Sequence, residues 1–128
     1  MARSQPRPTD AELAILGVLW TRGPSTVRQV HEVLADTRDT GYTTTLKLMQ
    51  IMADKGLVTR NETARTHVYS ASAGEEQTQR QLVQDLVDRA FGGSAAQLVL
   101  RALSAEGASD AELRKIRKLI DDYREQRS

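Results

Sequence analysis

Apolar positions along this chain keep two different periods. From residue 10 to residue 55 they recur at spacings of three and four; through LVTRNETARTHVYSA (residues 57–71) they alternate with polar ones; from residue 74 the first spacing returns. A helix advances about 100° per residue and a strand about 180°, so the pattern predicts three helices, one β-hairpin and then further helices. In the first helix, residues 10–21, Leu13, Leu16, Gly17 and Trp20 share a face, and Arg22-Gly23-Pro24 stops it. The second, residues 27–36, aligns Val27, Val30 and Leu34, with Val33 beside them. A short polar turn, TRDTGY, leads to the third helix, residues 43–55, which closes at Gly56.

The third helix is unusual in spending three consecutive positions on threonine, a residue whose branched Cβ loses rotamer freedom in a helix. Thr45, Leu48, Met49 and Met52 fall on one face and are expected to pack inward. Thr43, Lys47 and Gln50 centre the opposite face, flanked by Thr44, Leu46 and Ile51. The hairpin carries a polar tip at residues 62–65. Beyond it, stripes at Val83/Leu86/Val87/Ala90, Ala95/Leu98/Val99/Ala102 and Leu113/Ile116/Ile120/Tyr123 are separated by GGS and SAEGAS. Five helix starts show Ser or Thr followed three residues later by Glu or Gln, the spacing at which two side chains cap each other's backbone N–H groups: Thr9/Glu12, Thr26/Gln29, Ser72/Glu75, Ser94/Gln97 and Ser109/Glu112.

Composition narrows the picture. With 128 residues and 4% aromatics, including one Trp and one Phe, the core must be built from aliphatic residues, as in a helical protein rather than a β-sandwich. The absence of cysteine excludes disulfides, thiolate metal ligands and cysteine nucleophiles, and suits a reducing cytoplasm. The opening MARSQPRPTD is polar and proline-bearing, and no segment approaches the run of about 18 apolar residues that a membrane helix needs. A soluble, cytoplasmic chain without membrane insertion is expected. Net charge is +1, and residues 1–70 carry 9 Lys/Arg against 7 Asp/Glu. A nucleic-acid partner would therefore have to be met by a local basic patch.

Three helices followed by a hairpin, with a short turn before the third helix, is the layout of a winged helix-turn-helix. In that layout the third helix enters the major groove and the hairpin lies on the flanking backbone. The candidate reading face is Thr43, Thr44, Leu46, Lys47, Gln50 and Ile51; the candidate wing contacts are Arg60, Arg65 and Thr66. Threonine hydroxyls can donate to phosphates or bases, aliphatic carbons can meet a thymine methyl, and Gln50 can pair with adenine through both amide atoms. The competing reading is an ordinary solvated helix face. Leu46 and Ile51 weigh against it, since a groove-reading face or a protein interface has more use for exposed branched aliphatics.

YTTTLKLMQIMADKGLV and RTHVYSA, together with the opening PTDAELAILGVLW, resemble the BlaI/MecI/CopY family of bacterial transcriptional repressors, the penicillinase repressors. The resemblance covers nearly the whole chain. It implies a homodimer whose N-terminal winged helix binds half of a palindromic operator in double-stranded DNA. Two positions depart from the family pattern: many members have arginine where Ile51 stands and threonine where Lys47 stands. Copper-responsive members use a cysteine cluster, which this chain lacks. β-Lactam-responsive members are inactivated through a membrane-bound zinc metallopeptidase sensor, which makes such a peptidase a candidate partner. Some members are cut at an Asn-Phe bond, but the only asparagine here is Asn61, in the hairpin.

The C-terminal third supports a homodimer independently of the resemblance. Three short amphipathic helices rarely sustain a core alone, and a second copy would cover their apolar faces. Leu82, Leu86, Phe91, Leu98, Leu103, Leu113, Ile116 and Ile120 are the candidate dimerisation residues. The expected architecture is mainly α with a small β-hairpin: a winged helix-turn-helix domain over residues 1–71 and a helical dimerisation domain over residues 72–128. A winged helix used only for protein–protein contact is the main alternative.

Nothing points to catalysis. His31 and His67 belong to a helix and a hairpin strand, and the carboxylate pairs Glu75/Glu76 and Asp121/Asp122 are adjacent in sequence, so each pair diverges around its helix. Gly92-Gly93 breaks a helix rather than forming a phosphate loop. No catalytic residue, metal site or cofactor is expected.

Overall fold

The computed structural model describes residues 7–127; the polar, proline-bearing start of the chain lies partly outside the described residues. The elements are α1 (Asp10–Arg22), α2 (Val27–Leu34), α3 (Tyr42–Lys55), β1 (Val58–Asn61), β2 (Val68–Ala71), α4 (Glu75–Ala90), α5 (Ala95–Glu106) and α6 (Asp110–Arg127). The first two helices begin as their capping pattern predicts. Thr9 Oγ1 accepts from the Glu12 N–H at 3.2 Å while Glu12 Oε1 accepts from the Thr9 N–H at 2.9 Å. Thr26 and Gln29 repeat both bonds. Ser94 and Ser109 cap α5 and α6 from one side, accepting from Gln97 N–H and Glu112 N–H.

The fifth pattern fails. Helix α4 begins with the Gly74 carbonyl accepting from Thr78 N–H, whereas Ser72 N–H donates to the Leu57 carbonyl and prolongs the hairpin. A Ser-x-x-Glu spacing does not act as a cap when the backbone before it is already committed to a strand.

The core gathers Ile15, Leu16 and Leu19 from α1, Val27, Val30 and Leu34 from α2, Met49 and Met52 from α3, and Leu57, Val58 and Tyr69 around the hairpin. The buried side of α1 is displaced from the expected stripe, since Ile15, Val18 and Leu19 are buried while Leu13, Gly17 and Trp20 are half-buried. This helix is apolar almost all round, so periodicity could not select the side that its neighbours cover. Val33, expected beside the core, is 42% exposed. On α3, Thr45, Met49 and Met52 are fully buried and Leu48 is half-buried. Thr45 keeps its hydroxyl satisfied by donating to the Gly41 carbonyl at 3.2 Å, the bond a buried threonine makes to the preceding turn.

β1 and β2 pair antiparallel, with Val58 opposite Ala71 and Arg60 opposite Tyr69. A third segment joins them: Ser25 N–H donates to the Tyr69 carbonyl at 3.0 Å and Tyr69 N–H returns a bond to Ser25 at 2.8 Å. The α1–α2 connection is thereby stitched to the hairpin. Trp20 Nε1 donates to the Ala73 carbonyl at 3.0 Å, fixing the exit of β2 to α1.

The chain divides into two compact units, one running to Leu82 and one from Val83, with the division inside α4. In the second unit Val87 is buried, while Phe91, Leu98, Leu103 and Ile116 are half-buried. Leu86, Leu113 and Ile120 are exposed, as are Val83, Val99, Leu100, Leu119 and Tyr123, which the candidate dimerisation set omitted. Leu82, half-buried, ends the first unit. Helix α6 buries no residue at all. No helix among the described residues is long and apolar enough to cross a membrane.

Candidate nucleic-acid interface

Residues four apart on a helix stack one above another. On α3, Tyr42, Leu46 and Gln50 form such a row, and it makes the floor of a groove of about 530 Å³ walled by the start of α2 and by the hairpin. Of the nine residues the sequence proposes for DNA, five line this groove: Leu46, Gln50, Arg60, Arg65 and Thr66. Thr43, Thr44, Lys47 and Ile51 do not line it, though all four are exposed. By helical geometry Thr43 and Lys47 lie on the most outward row of α3, while Thr44 and Ile51 lie on the flank away from the groove. Ile51 is 38% exposed, and Leu46 is half-buried against the core rather than freely exposed. Its γ-branched side chain spans both, with one side on the core and the other on the groove floor.

The groove also contains residues that the sequence did not propose as DNA contacts. Arg28 of α2 stands over the Tyr42 ring, 5.3 Å from its centroid. His31, one turn further along α2, meets the same ring edge-on at 5.8 Å. His67 lines the hairpin side. The only available signal for Arg28 and Tyr42 was a basic residue on the second helix and an aromatic in the turn before the third, which the structure makes the first residue of α3, and neither is informative until the two helices cross.

On the hairpin wall, Arg60 Nε lies 3.7 Å from Glu62 Oε1, and His67 Nε2 lies 3.7 Å from the same oxygen. Arg60, a cation at any ordinary pH, has its pKa raised further by the hydrogen bond with Tyr69 and by the nearby Glu62 carboxylate. The hairpin tip is shaped by Asn61, whose Oδ1 accepts from both the Thr63 N–H at 2.9 Å and the Thr63 hydroxyl at 2.7 Å. This side-chain turn braces the loop that carries Arg65.

The far end of α3 is held by an ion pair. Lys55 Nζ donates to both carboxylate oxygens of Glu12, at 2.8 and 3.0 Å, across 43 residues of chain. Burial disfavours the charged form of Glu12, but the Lys55 ammonium and the Thr9 N–H outweigh it, and the carboxyl pKa lies below its usual value. One carboxylate therefore caps α1 and anchors the C-terminal turn of α3. The sequence revealed the first role; the second depends on a tertiary contact.

A helix with an outward polar row, a paired hairpin beside it and arginines on both walls of the intervening groove define a winged helix-turn-helix. Residues 8–122 match the penicillinase repressor family, and the chain belongs to it. It is 35% identical over 105 residues to the transcriptional regulator BlaI of Mycobacterium tuberculosis, a match covering 80% of this chain and 76% of that protein. It is also 20% identical over 119 residues to the penicillinase repressor of Bacillus licheniformis, covering 93% of each. The fold is similar to the solution structure of monomeric Bacillus licheniformis BlaI in complex with the blaP half-operator. That similarity has a TM-score of 0.51 and 23% identity, and covers 59% of this chain and 92% of that one.

Proposed function

We propose that this protein is a non-enzymatic, cytoplasmic transcriptional repressor that binds a palindromic operator in duplex DNA as a homodimer. The N-terminal domain, residues 1–71, places α3 in the major groove with Thr43, Lys47 and Gln50 toward base edges. The hairpin, through Arg60, Arg65 and Thr66, lies along the flanking phosphates. The observation that carries this reading is the groove itself, with Gln50 and Leu46 on its floor and Arg28, Arg60 and Arg65 on its walls. Membership of the repressor family supports the same conclusion.

The C-terminal region, residues 72–128, serves dimerisation: Leu86, Leu113 and Ile120 are exposed in the single chain, and a second copy would cover them. Release from the operator follows a signal, with a membrane zinc metallopeptidase as the sensor and cleavage as the route. A salt titration tests the DNA assignment. Binding of the full chain to duplex DNA from upstream of its own gene should fall linearly on a log-log plot, with a slope of about −0.9 per phosphate contacted. No binding, or a flat slope, would remove the assignment.

A further inference from the structure

We propose that Arg28 is a DNA-backbone contact, preset on the Tyr42 ring so that it grips, opposite Arg60 and Arg65, the sugar-phosphate strand lying in the groove. This inference rests on the repressor reading and adds to it a second wall, from α2, that neither the recognition helix nor the wing supplies.

Four observations converge. Arg28 is an exposed residue near the start of α2, so its side chain does not serve the core. Its guanidinium lies over the face of Tyr42, where the ring quadrupole attracts a cation, while the N–H groups at the rim remain available to an acceptor. Tyr42 itself meets His31 edge-on from a second direction, which favours the ring orientation that Arg28 covers. Among the described residues, Arg28 and Arg65 make no salt bridge, whereas Arg60 faces Glu62.

A groove lined by two guanidiniums uncommitted to carboxylates, one from α2 and one from the hairpin, suits a backbone phosphate passing between those two elements, beside the base edges that Gln50 meets. A phosphodiester accepts from the planar fork of an arginine, and an arginine held on a ring loses less rotamer freedom on contact than a free one. The chemistry is that of the backbone, not of the bases, so Arg28 contributes affinity without sequence preference.

The test uses the full chain and two duplexes, one from upstream of its own gene and one a scrambled duplex of equal length and composition. Arg28→Ala should weaken binding to both alike, by about fivefold at 0.15 M salt, and reduce the salt slope by about 0.9, the contribution of one phosphate. Tyr42→Leu should weaken both by about threefold, Tyr42→Phe should recover most of that loss because the ring face is kept, and Tyr42→Leu should cost nothing further once Arg28 is alanine.

An Arg28→Ala chain with the wild-type slope overturns the inference while leaving the repressor reading intact. So does a change confined to one duplex, which would make Arg28 a base reader. Additive effects of the two substitutions refute the preset role of Tyr42. A wild-type chain that binds neither duplex removes the inference together with the repressor reading.

Discussion

Glu12 shows how much one side chain can be asked to do. Its carboxylate closes the capping box of α1 and also receives both short bonds from Lys55 at the end of α3. A nearly buried carboxylate is tolerated only when its charge is answered, and here an ammonium and a backbone N–H answer it. Because the folded pKa is depressed, Glu12 contributes stability above its unfolded pKa, and that contribution is lost as pH falls through the folded value. Glu12→Gln should therefore destabilise the protein by about 2 kcal/mol at pH 7, moderated by the partial exposure of Lys55. The difference from wild type should shrink as acid neutralises the wild-type carboxyl. Urea midpoints at pH 7 and in acid measure both; an equal gap at the two pH values would mean that Glu12 acts through packing rather than charge.

Helix α3 is bounded by two glycines that look alike in sequence and differ in physics. Gly41, its N-cap, has φ −73 and offers no side-chain cap, while Gly56, its C-cap, has φ 84 in the left-handed region. An added Cβ would meet nothing within 4 Å at either position, so backbone conformation and capping alone decide the outcome. Gly41→Ser should stabilise by about 0.5 kcal/mol, through a new cap and a less flexible unfolded chain. Gly56→Ala should destabilise by about 1 kcal/mol. Thermal midpoints moving the same way for both variants would refute the distinction.

The same helix marks the limit of what sequence pattern carries. Its inward row of Thr45, Met49 and Met52 was legible because the period is strong, and its closing glycine because the residue type is specific. Leu46 was read as an exposed aliphatic and is half-buried, since a residue on the boundary between core and outward faces is assigned by its neighbours and not by its angle. Arg28 and Tyr42 could not be linked by any spacing rule. They meet only because α2 and α3 cross, and the Ser25–Tyr69 pairing that stitches the hairpin to the α1–α2 connection is invisible for the same reason.

At the level of the whole molecule, the two compact units differ in how they satisfy their apolar residues. Among the described residues, the closely packed pairs of elements lie within α1, α2, α3 and the hairpin, and those residues enclose their own core. Helix α6 carries Leu113, Leu119, Ile120 and Tyr123 exposed and buries nothing. Such faces are expensive to leave in water, and a symmetric partner covers equivalent faces on both chains at once. Substitutions there leave the chain's own core untouched, so they isolate assembly from folding. Leu113→Glu combined with Ile120→Glu should convert a dimer to a monomer in sedimentation while preserving the thermal midpoint of the N-terminal unit. Affinity for a duplex with two half-sites should drop about a hundredfold, because the second contact no longer benefits from the first, while affinity for a single half-site should be unchanged. A variant that still sediments as a dimer would move the interface off α6, and equal losses on both duplexes would mean that α6 takes part in binding DNA itself.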